Sequence, residues 1–366
     1  MKIKDFFLIK TGQRIIEEDI YNHKGDFPCI TSQTSNDGIT WYGDKEWLEE
    51  KHGNAIVNVE NCITWTKDGA KCGTMFYRDY SFYPNDHCGV LILKEQFKKE
   101  LNLKWFIYAY QDVIKNYVTQ QGSQGMLYNS EMAEIEIEYP FPDRVTVQDE
   151  IVKQYEKIKS IKEHLNQIIL QLNVLMRCEL KIENSAEFTV EQIALLNKGS
   201  NKISEEMIYR NYDKEGVPIY SSATENAGLM GRVSKECYSN FDKKGIENEL
   251  TWTTNGYAGR VFYRQENYLY SEKCGRIVIR KEYKDKINPK YLMYILNQIT
   301  HKYKTSESNN GKLDIIHMSN IKVPIPLDNM GNIDISMQNQ IVENYQKIEH
   351  IVSKLERIIN SVVGEV

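Results

Sequence analysis

The sequence lacks the features that would place the protein in a membrane or outside the cell. Its apolar runs are too short to span a bilayer, so we expect no transmembrane helix and no membrane partner. The opening MKIKDFFLIK has no apolar stretch of signal-peptide length. We therefore predict a cytoplasmic protein, and its 366 residues are enough for two domains with separate cores.

Patterns typical of metal and cofactor sites are also missing. The seven cysteines are scattered without C-x-x-C spacing, so we expect reduced cysteines and no disulfide framework. The histidines form no H-E-x-x-H pattern, and no glycine-rich phosphate or dinucleotide loop is present. There is no Asp/Asn-Pro-Pro-Tyr/Phe segment of the kind found in amino-methyltransferases. We predict no metal, no cofactor bound by this chain and no catalytic residue.

An excess of positive charge is absent as well. The formal net charge is −5, which argues against nucleic-acid binding through a bulk positive field. Local basic loops remain compatible with this balance, especially if a partner supplies much of the phosphate binding.

The sequence does contain an internal duplication. Four pairs of segments match in the same order: ITSQTSNDGI (30–39) with YSSATENAGL (220–229), ITWTKDGAKCGTMFYR (63–78) with LTWTTNGYAGRVFYR (250–264), HCGVLILKE (87–95) with KCGRIVIRKE (273–282), and VQDEIVKQYEKIKSI (147–161) with MQNQIVENYQKIEHI (337–351). The duplication predicts four parts: globular unit 1–145, helix 146–182, second globular unit 183–333 and helix 334–366.

Each globular unit is predicted to be α+β. Short segments such as CITWT and GVLILK are β-branched or aromatic and are separated by turn residues, which predicts a curved, mostly antiparallel sheet. Helical spacing over 103–120 and 289–305 predicts one or two helices in each unit. The residues of the first helix that we predict to be core are Trp105, Ile107, Tyr108, Val113 and Tyr117.

A tight turn with positive φ is predicted at TKDG (66–69) and at TTNG (253–256). Asp68 could be read as a catalytic acid. Its counterpart in the second unit is Asn255, however, and a required acid would not be an amide in a sister domain with the same reaction. The turn interpretation is therefore preferred.

The candidate binding residues belong to polar loops that differ in detail between the repeats. Asn and Gln can bond adenine edges, Lys and Arg can bond guanine, and Ser and Thr can bond either base or phosphate. The candidates are Gln33, Ser35, Asn36, Lys67, Lys71, Gln120, Gln121, Ser123 and Gln124 in the first unit, and Glu225, Asn226, Thr254, Asn255, Tyr257, Ser308, Asn309, Asn310 and Lys312 in the second. Candidate phosphate contacts are Lys67, Lys71, Arg78, Arg264 and Lys312, which we expect to be surface charges.

The two helices carry heptad patterns in matching register. Apolar residues are spaced by seven at Ile151, Ile158, Leu165 and Leu172, and again at Ile341, Ile348, Leu355 and Val362. This spacing predicts an antiparallel coiled coil between the helices, with Gln154 and Asn344 as buried polar residues. Helices of about 30 residues span about 45 Å, which would suit a two-part DNA site with an unread gap.

The arrangement resembles the specificity (S) subunit of type I restriction–modification enzymes over essentially the whole chain. The resemblance rests on TGQRIIEEDIYNHKGDFPCITSQTSNDGI (11–39), on TKDGAKCGTMFYR, on the closing PFP…QDEIVKQY pattern and on their repetition. It implies that each unit recognises half of a bipartite double-stranded DNA site through the major groove. It also implies recruitment of two methyltransferase (M) subunits, which bind S-adenosylmethionine and methylate adenine N6, and of nuclease/translocase (R) subunits for restriction.

The resemblance makes this chain a non-catalytic specificity subunit. The chain is short for the family, and compact S-type subunits of type IIB enzymes, which cut on both sides of their site, remain an alternative. An orphan or adaptor protein that binds the methyltransferase without its own DNA target is a further alternative.

Overall fold

The chain forms two compact units, and both mix helices with small sheets. The computed structural model describes residues 1–53, 61–121, 124–223, 225–306 and 311–363. Unit 1 is Met1–Ile161 and unit 2 is Lys162–Val366. The predicted α+β class is confirmed. None of the helices in these ranges combines the length and the apolar composition needed to cross a bilayer.

Unit 1 is built from short elements and the first part of one long helix. Its helices are α1 (Ile3–Phe6), α2 (Glu17–Asn22), α3 (Lys45–His52), α4 (Leu103–Lys115), α5 (Asn129–Glu134) and the start of α6 (Val145–Arg177). Its strands are β1 (Phe7–Thr11), β2 (Lys24–Ile30), β3 (Ile39–Gly43), β4 (Cys62–Thr66), β5 (Asp68–Gly69), β6 (Met75–Arg78), β7 (Tyr83–Pro84), β8 (Cys88–Leu93), β9 (Thr119–Gln121) and β10 (Gln124–Met126). They form the sheets β1-β8-β4-β6, β3-β2-β7 and β5-β10-β9.

Unit 2 repeats the main features of this arrangement. Its helices are the rest of α6, then α7 (Val190–Ile193), α8 (Glu205–Arg210), α9 (Lys235–Ser239), α10 (Pro289–Ile299), α11 (Ile315–Ser319) and α12 (Ile335–Val363). Its strands are β11 (Ser185–Thr189), β12 (Ala194–Lys198), β13 (Tyr212–Tyr220), β14 (Leu229–Val233), β15 (Lys244–Gly245), β16 (Glu249–Thr253), β17 (Val261–Arg264), β18 (Tyr268–Tyr270), β19 (Cys274–Ile279) and β20 (Lys322–Pro326). Its sheets are β12-β19-β16-β17, β14-β13-β18-β15 and β11-β20.

The pairing is mostly antiparallel, as predicted. Among the described strands, β2–β7 and β13–β18 are parallel. The prediction of one curved sheet per unit is too simple, because the short strands divide among several small sheets. Helices of four to eight residues, such as α1 and α3, also exceed the predicted number.

A tryptophan packed on a glycine lies in the β1-β8-β4-β6 sheet of unit 1 and in the β12-β19-β16-β17 sheet of unit 2. Trp65 pairs with Gly89 across β4–β8, and Trp252 pairs with Gly275 across β16–β19. A Cβ atom on Gly89 would lie 2.2 Å from the Trp65 ring, and one on Gly275 would lie 2.1 Å from the Trp252 ring. Both indole N–H groups donate to a main-chain carbonyl, at 3.0 and 2.8 Å. Each glycine is therefore required by the ring beside it.

Helix α4 is shorter than predicted and buries only one face. Trp105 and Ile107 are core residues, as predicted. The prediction is wrong for three others, which are 38%, 40% and 48% exposed: Tyr108, Val113 and Tyr117. Tyr108 lies on the face that meets the long helix, where its ring stacks on Tyr155 with 4.7 Å between centroids.

The two long helices are confirmed, and each begins by packing on its own unit. Val152 of α6 belongs to the main core of unit 1, and Val342 of α12 belongs to that of unit 2. The buried amide of Gln148 accepts a hydrogen bond from a main-chain N–H before α4 at 2.7 Å. Gln338 accepts the equivalent bond before α10 at 3.0 Å. The same side-chain bond therefore anchors both helices.

The seven-spaced apolar residues are mostly half-buried. Ile341 is buried, the half-buried ones are Ile151, Ile158, Leu165, Leu172, Ile348 and Leu355, and the side chain of Val362 lies outside the described residues. The predicted burial of Gln154 and Asn344 is wrong, because the neighbouring Val152 and Tyr345 occupy the buried face instead.

The end of α6 and the start of α12 meet within unit 2. Leu175 and Cys178 line one apolar groove together with Ile341, Tyr345 and Ile348. Because the end of one helix meets the start of the other, this placement supports the predicted antiparallel orientation.

Candidate nucleic-acid interface

The first candidate loop connects β2 to β3 and is closed by its own backbone. The N–H of Thr31 donates to the carbonyl of Gly38 at 3.1 Å. In unit 2 the N–H of Ser221 donates to the carbonyl of Gly228 at 2.9 Å, between β13 and β14. The two loops therefore have the same backbone frame; their side chains match at 32/222 and 36/226 and differ at 33/223, 35/225 and 37/227.

A left-handed turn forms the tip of each of these loops. Residues 36–38 have φ angles of 49°, 49° and 81°, and residues 226–228 have 46°, 52° and 81°. Only the third residue of each turn is glycine. A non-glycine residue in this region costs about 1–2 kcal/mol, so the surrounding structure must hold the turn in place.

The second and third candidate loops are neighbours. Strand β5, in the predicted Asp68–Gly69 turn, pairs with β10 of the third loop. The N–H of Leu127 donates to the carbonyl of Lys67 at 2.8 Å, and that of Leu313 donates to Thr254 at 3.0 Å. The predicted positive φ is present in both turns, at Gly69 (93°) and at Gly256 (69°).

A short segment, 85–87 in unit 1 and 271–273 in unit 2, links the first loop to the second. The N–H of Asn85 donates to the carbonyl of Ile30 at 2.9 Å, and the N–H of Lys67 donates to the carbonyl of His87 at 3.0 Å. The equivalent bonds in unit 2 measure 2.9 and 3.0 Å. In each unit these bonds bring the three candidate loops together on one side of the unit, which we call the three-loop edge.

Most of the described candidate residues are accessible at this edge. The exposed ones are Gln33, Ser35, Asn36, Lys71, Gln124, Glu225, Asn226, Tyr257 and Lys312, and the half-buried ones are Lys67, Thr254 and Asn255. Gln120 and Gln121 lie in β9, but their side chains are outside the described residues, as are Ser123, Ser308, Asn309 and Asn310.

Lys67 is partly committed to the protein itself. Its Nζ donates to the carbonyl of Asp86 at 2.7 Å and to Thr11 Oγ1 at 3.3 Å. Burial lowers the pKa of this ammonium group. An ammonium group has three donors, so one remains for a ligand.

Arg78 and Arg264 are buried, whereas the sequence led us to expect surface charges. They are 1% and 2% exposed, because their side chains run under the first loop and pack on aromatic rings. Burial lowers the pKa of Arg264. Both arginines bond groups of their own unit, so neither presents its charge to a phosphate as an ordinary surface residue does.

Sequence reasoning missed His87 and Lys273, which lie at the same position in the linking segment of the two units. Both are exposed. His87 Nδ1 forms a hydrogen bond with the carboxylate of Asp68. The available signal was that different residues precede a shared Cys-Gly, which is the pattern that singled out the other loops.

The edge of each unit presents hydrogen-bonding and charged groups. Unit 1 offers amide, hydroxyl and ammonium groups with an Asp–His pair, whereas unit 2 offers a carboxylate, a phenol, a hydroxyl, amides and ammonium groups. No acid–base pair recurs at equivalent positions of the two described edges. Within the described ranges, no group of three His, Cys, Asp or Glu residues is arranged to hold a metal ion.

Comparison with known proteins agrees with this architecture. The chain matches the family "Type I restriction modification DNA specificity domain" over residues 1–173 and again over 182–363. A protein of Mycoplasma pneumoniae named "Putative type I specificity subunit S.MpnORF507P" is 25% identical over 343 residues, which cover 89% of this chain and 84% of that protein. The MpnII type I restriction enzyme specificity subunit of the same organism is 31% identical, over 48% of this chain and 45% of that one.

Solved structures share the fold at low sequence identity. The type I S subunit from M. genitalium superposes with a TM-score of 0.56 at 16% identity, over 99% of this chain and 92% of that one. A chain from a structure of the type I restriction–modification system gives a TM-score of 0.63 at 10% identity, over 100% and 93%. The two family matches cover nearly the whole sequence. The chain therefore belongs to the type I restriction–modification DNA specificity family, carries two copies of its domain, and is a DNA-recognition subunit.

Proposed function

We propose that each unit recognises one half of a bipartite DNA site through its three-loop edge. The observation that carries this proposal is the contrast within the duplication. The backbone bonds that frame the loops are the same in both units, whereas most of the exposed loop side chains differ. Two domains that position loops alike but read different bases need this combination.

Lys71 and Lys312 are the exposed cations that we assign to phosphate contacts, together with the remaining donor of Lys67. Gln33, Asn36, Gln124 and Asn226 carry amides suited to base edges. The net charge of −5 means that the chain offers no broad positive surface. Most phosphate neutralisation would then come from partner subunits.

The partners are two M subunits that bind S-adenosylmethionine and methylate adenine N6, with R subunits added for restriction. This chain contributes no catalysis and acts in the cytoplasm. Large apolar side chains exposed along the long helices support a role in partner binding; they are Ile161, Leu170, Val174, Leu175, Ile351 and Ile358. The helices would also fix the spacing of the two half-sites.

Modified-base sequencing of host DNA, with the gene present and deleted, tests the proposal. We expect the deletion to abolish adenine methylation at one bipartite motif. An unchanged methylome from an expressed, assembled complex would contradict a reading role and favour the adaptor. Cleavage on both sides of the motif by the purified complex would instead identify a type IIB context.

A domain exchange tests the assignment of one half-site to each unit. Replacing residues 1–145 with the equivalent domain of another family member should change one half of the motif and keep the other. The matched control replaces 183–333. If either exchange altered both halves of the motif, independent recognition by the two units would be wrong.

A further inference from the structure

Two equivalent buried arginines connect the core of each unit to the tip of its first loop. Arg78 ends β6, and its Nε donates to Thr64 Oγ1 at 3.0 Å. Arg264 ends β17, and its Nε donates to Thr251 Oγ1 at 2.8 Å. Each guanidinium is thereby fixed to a buried threonine in the central sheet.

The other end of each guanidinium bonds the left-handed turn. Arg78 Nη2 donates to the carbonyl of Asp37, and Arg264 Nη1 donates to the carbonyl of Ala227 at 2.9 Å. Asp37 and Ala227 are the second residues of the turns, and both have positive φ without being glycine. A charged donor makes a stronger hydrogen bond than a neutral one, so the arginine offsets the strain at the residue that carries it.

The two anchors differ in how fully they are bonded. Arg78 Nη1 also donates to Tyr80 Oη at 2.9 Å. The position of Tyr80 is occupied by Glu266 in unit 2, which bonds Arg232 instead. Arg264 Nη2 has no hydrogen-bond partner among the described residues, and its guanidinium stacks 3.4 Å from the Tyr220 ring centroid. Fewer hydrogen bonds to described residues therefore hold the Arg264 guanidinium in place.

We propose that Arg78 and Arg264 are positioning residues for base recognition, each holding the first loop of its unit in the conformation that presents 33–36 or 225–226. The inference rests on the proposed function, since it names the residues that hold the proposed DNA-contacting loops in place. The arginines act through the loop and touch no base themselves. Loss of one anchor loosens the choice of bases in one half-site only.

The test uses the assembled methyltransferase complex and a DNA library randomised in either half of its motif. Arg264→Lys keeps the positive charge but cannot bond Thr251 and Ala227 together. A single mismatch changes binding by roughly 5- to 150-fold, so loss of part of this discrimination should appear as about a 10-fold weaker preference in one half. Arg78→Lys is the matched variant and should weaken the preference in the other half.

Equal loss of activity on all sequences, with base preferences kept, would make the arginines structural only and overturn the inference. Tyr80→Phe provides a milder change, removing one bond from Arg78 and no ring. It should weaken the preference of the unit 1 half by about 2-fold, and an unchanged preference would count against positioning.

Hydrogen exchange of the purified full chain separates this inference from the proposed function. In Arg264→Lys, amides of 221–228 should exchange at least about 10-fold faster, while those of β16 stay unchanged. Unchanged exchange in 221–228 would overturn the positioning role whatever the chain binds. Faster exchange with no methylated motif for the wild-type complex would keep the anchor and reject the DNA-reading function instead.

Discussion

The interiors of the two units share the Trp–Gly contact and differ in the buried residues beside it. In unit 1 four positions beside it are apolar, with Ile30, Cys62, Phe82 and Val90 in one cluster. In unit 2 the corresponding strand positions hold Tyr220, Glu249, Tyr268 and Arg276. Arg276 Nε donates to Glu249 Oε2 at 2.7 Å, and Tyr268 Oη donates to the same oxygen at 3.2 Å.

This difference shows which part of the duplicated fold is constrained. The Trp–Gly contact leaves no space for another side chain, so both copies keep it. The layer beside it tolerates exchange of an apolar set for a polar set, provided that every buried polar group finds a partner. In unit 2 burial alone would lower the pKa of Arg276, but its hydrogen bonds to Glu249 raise it.

The largest expected losses of stability come from changing the Trp–Gly contact that both units share. Trp65→Ala and Trp252→Ala should each lower the free energy of unfolding of their unit by about 3–5 kcal/mol, because each leaves a large cavity beside a glycine. Denaturant unfolding of the full chain measures the loss. Leu8→Ala and Leu195→Ala, at equivalent exposed positions of β1 and β12, are the controls and should change stability by about 0.5 kcal/mol or less. If one of the two tryptophan variants lost much less stability than the other, the two Trp–Gly contacts would not be equivalent.

The next largest effect should separate the units. Glu249→Ala leaves the Arg276 guanidinium and the Tyr268 hydroxyl without their acceptor, and should cost about 3 kcal/mol. Cys62→Ala, at the equivalent position of unit 1, should cost about 1 kcal/mol, because it removes only a small buried group. Denaturant unfolding of both variants measures the difference.

Transplanting the unit 1 layer sharpens that comparison. The triple variant Glu249→Cys, Arg276→Val and Tyr268→Phe changes three of the four positions and removes the carboxylate together with both side chains that donate to it, so neither is left without its acceptor. It should recover most of the stability lost in Glu249→Ala. A triple variant as unstable as Glu249→Ala would mean that the two layers are not interchangeable.

The duplication made much of this fold predictable from the sequence. Matching segments gave the two units, the long helices and the polar loops, because a repeat reports which positions the fold requires. The tight turns with positive φ at Gly69 and Gly256 followed from local turn chemistry.

Tertiary packing decided what the sequence could not. Arg78 and Arg264 were expected at the surface, because arginine is usually exposed. Both are buried instead, since each guanidinium donates to a buried threonine and to the carbonyl of a residue with positive φ. Tyr108 was expected in the core from its helical spacing, but α4 presents it to α6. That the three loops meet at one edge depends on backbone bonds of 85–87 and 271–273, which no local pattern encodes.

A smaller difference should appear where the long helices begin. Tyr345 stacks on Tyr294 with 4.7 Å between centroids and is 8% exposed, and Gln298 Nε2 donates to its hydroxyl at 2.6 Å. Tyr155 makes the equivalent stack on a more exposed surface. Thermal unfolding should show a loss of about 2–3 kcal/mol for Tyr345→Ala and about 1 kcal/mol for Tyr155→Ala.

The phenylalanine variants separate stacking from hydrogen bonding at these positions. Tyr345→Phe should cost about 1 kcal/mol, since the buried Gln298 amide loses a partner. Tyr155→Phe should be nearly neutral. Equal effects of the two phenylalanine variants would contradict the difference in burial between the stacks.

The smallest expected effect is the pH dependence of an ion pair that unit 2 lacks at the equivalent position. Glu134 bonds the ammonium groups of Lys2 and Lys4, which lowers its pKa from 4.5 to about 2, and the equivalent residue in unit 2 is the uncharged Asn320. Because the folded-state pKa is the lower one, the stabilisation is present above about pH 4.5 and is lost as the pH falls toward 2. Glu134→Gln should therefore lower the melting temperature slightly at pH 7 and not at pH 2. An exposed ion pair contributes little to stability, so this change in melting temperature should be smaller than the effects described above.

Glu187→Gln, which removes the exposed ion pair between Glu187 and Lys322, is the control. A melting difference for Glu134→Gln that grew in acid would have the wrong sign for this ion pair.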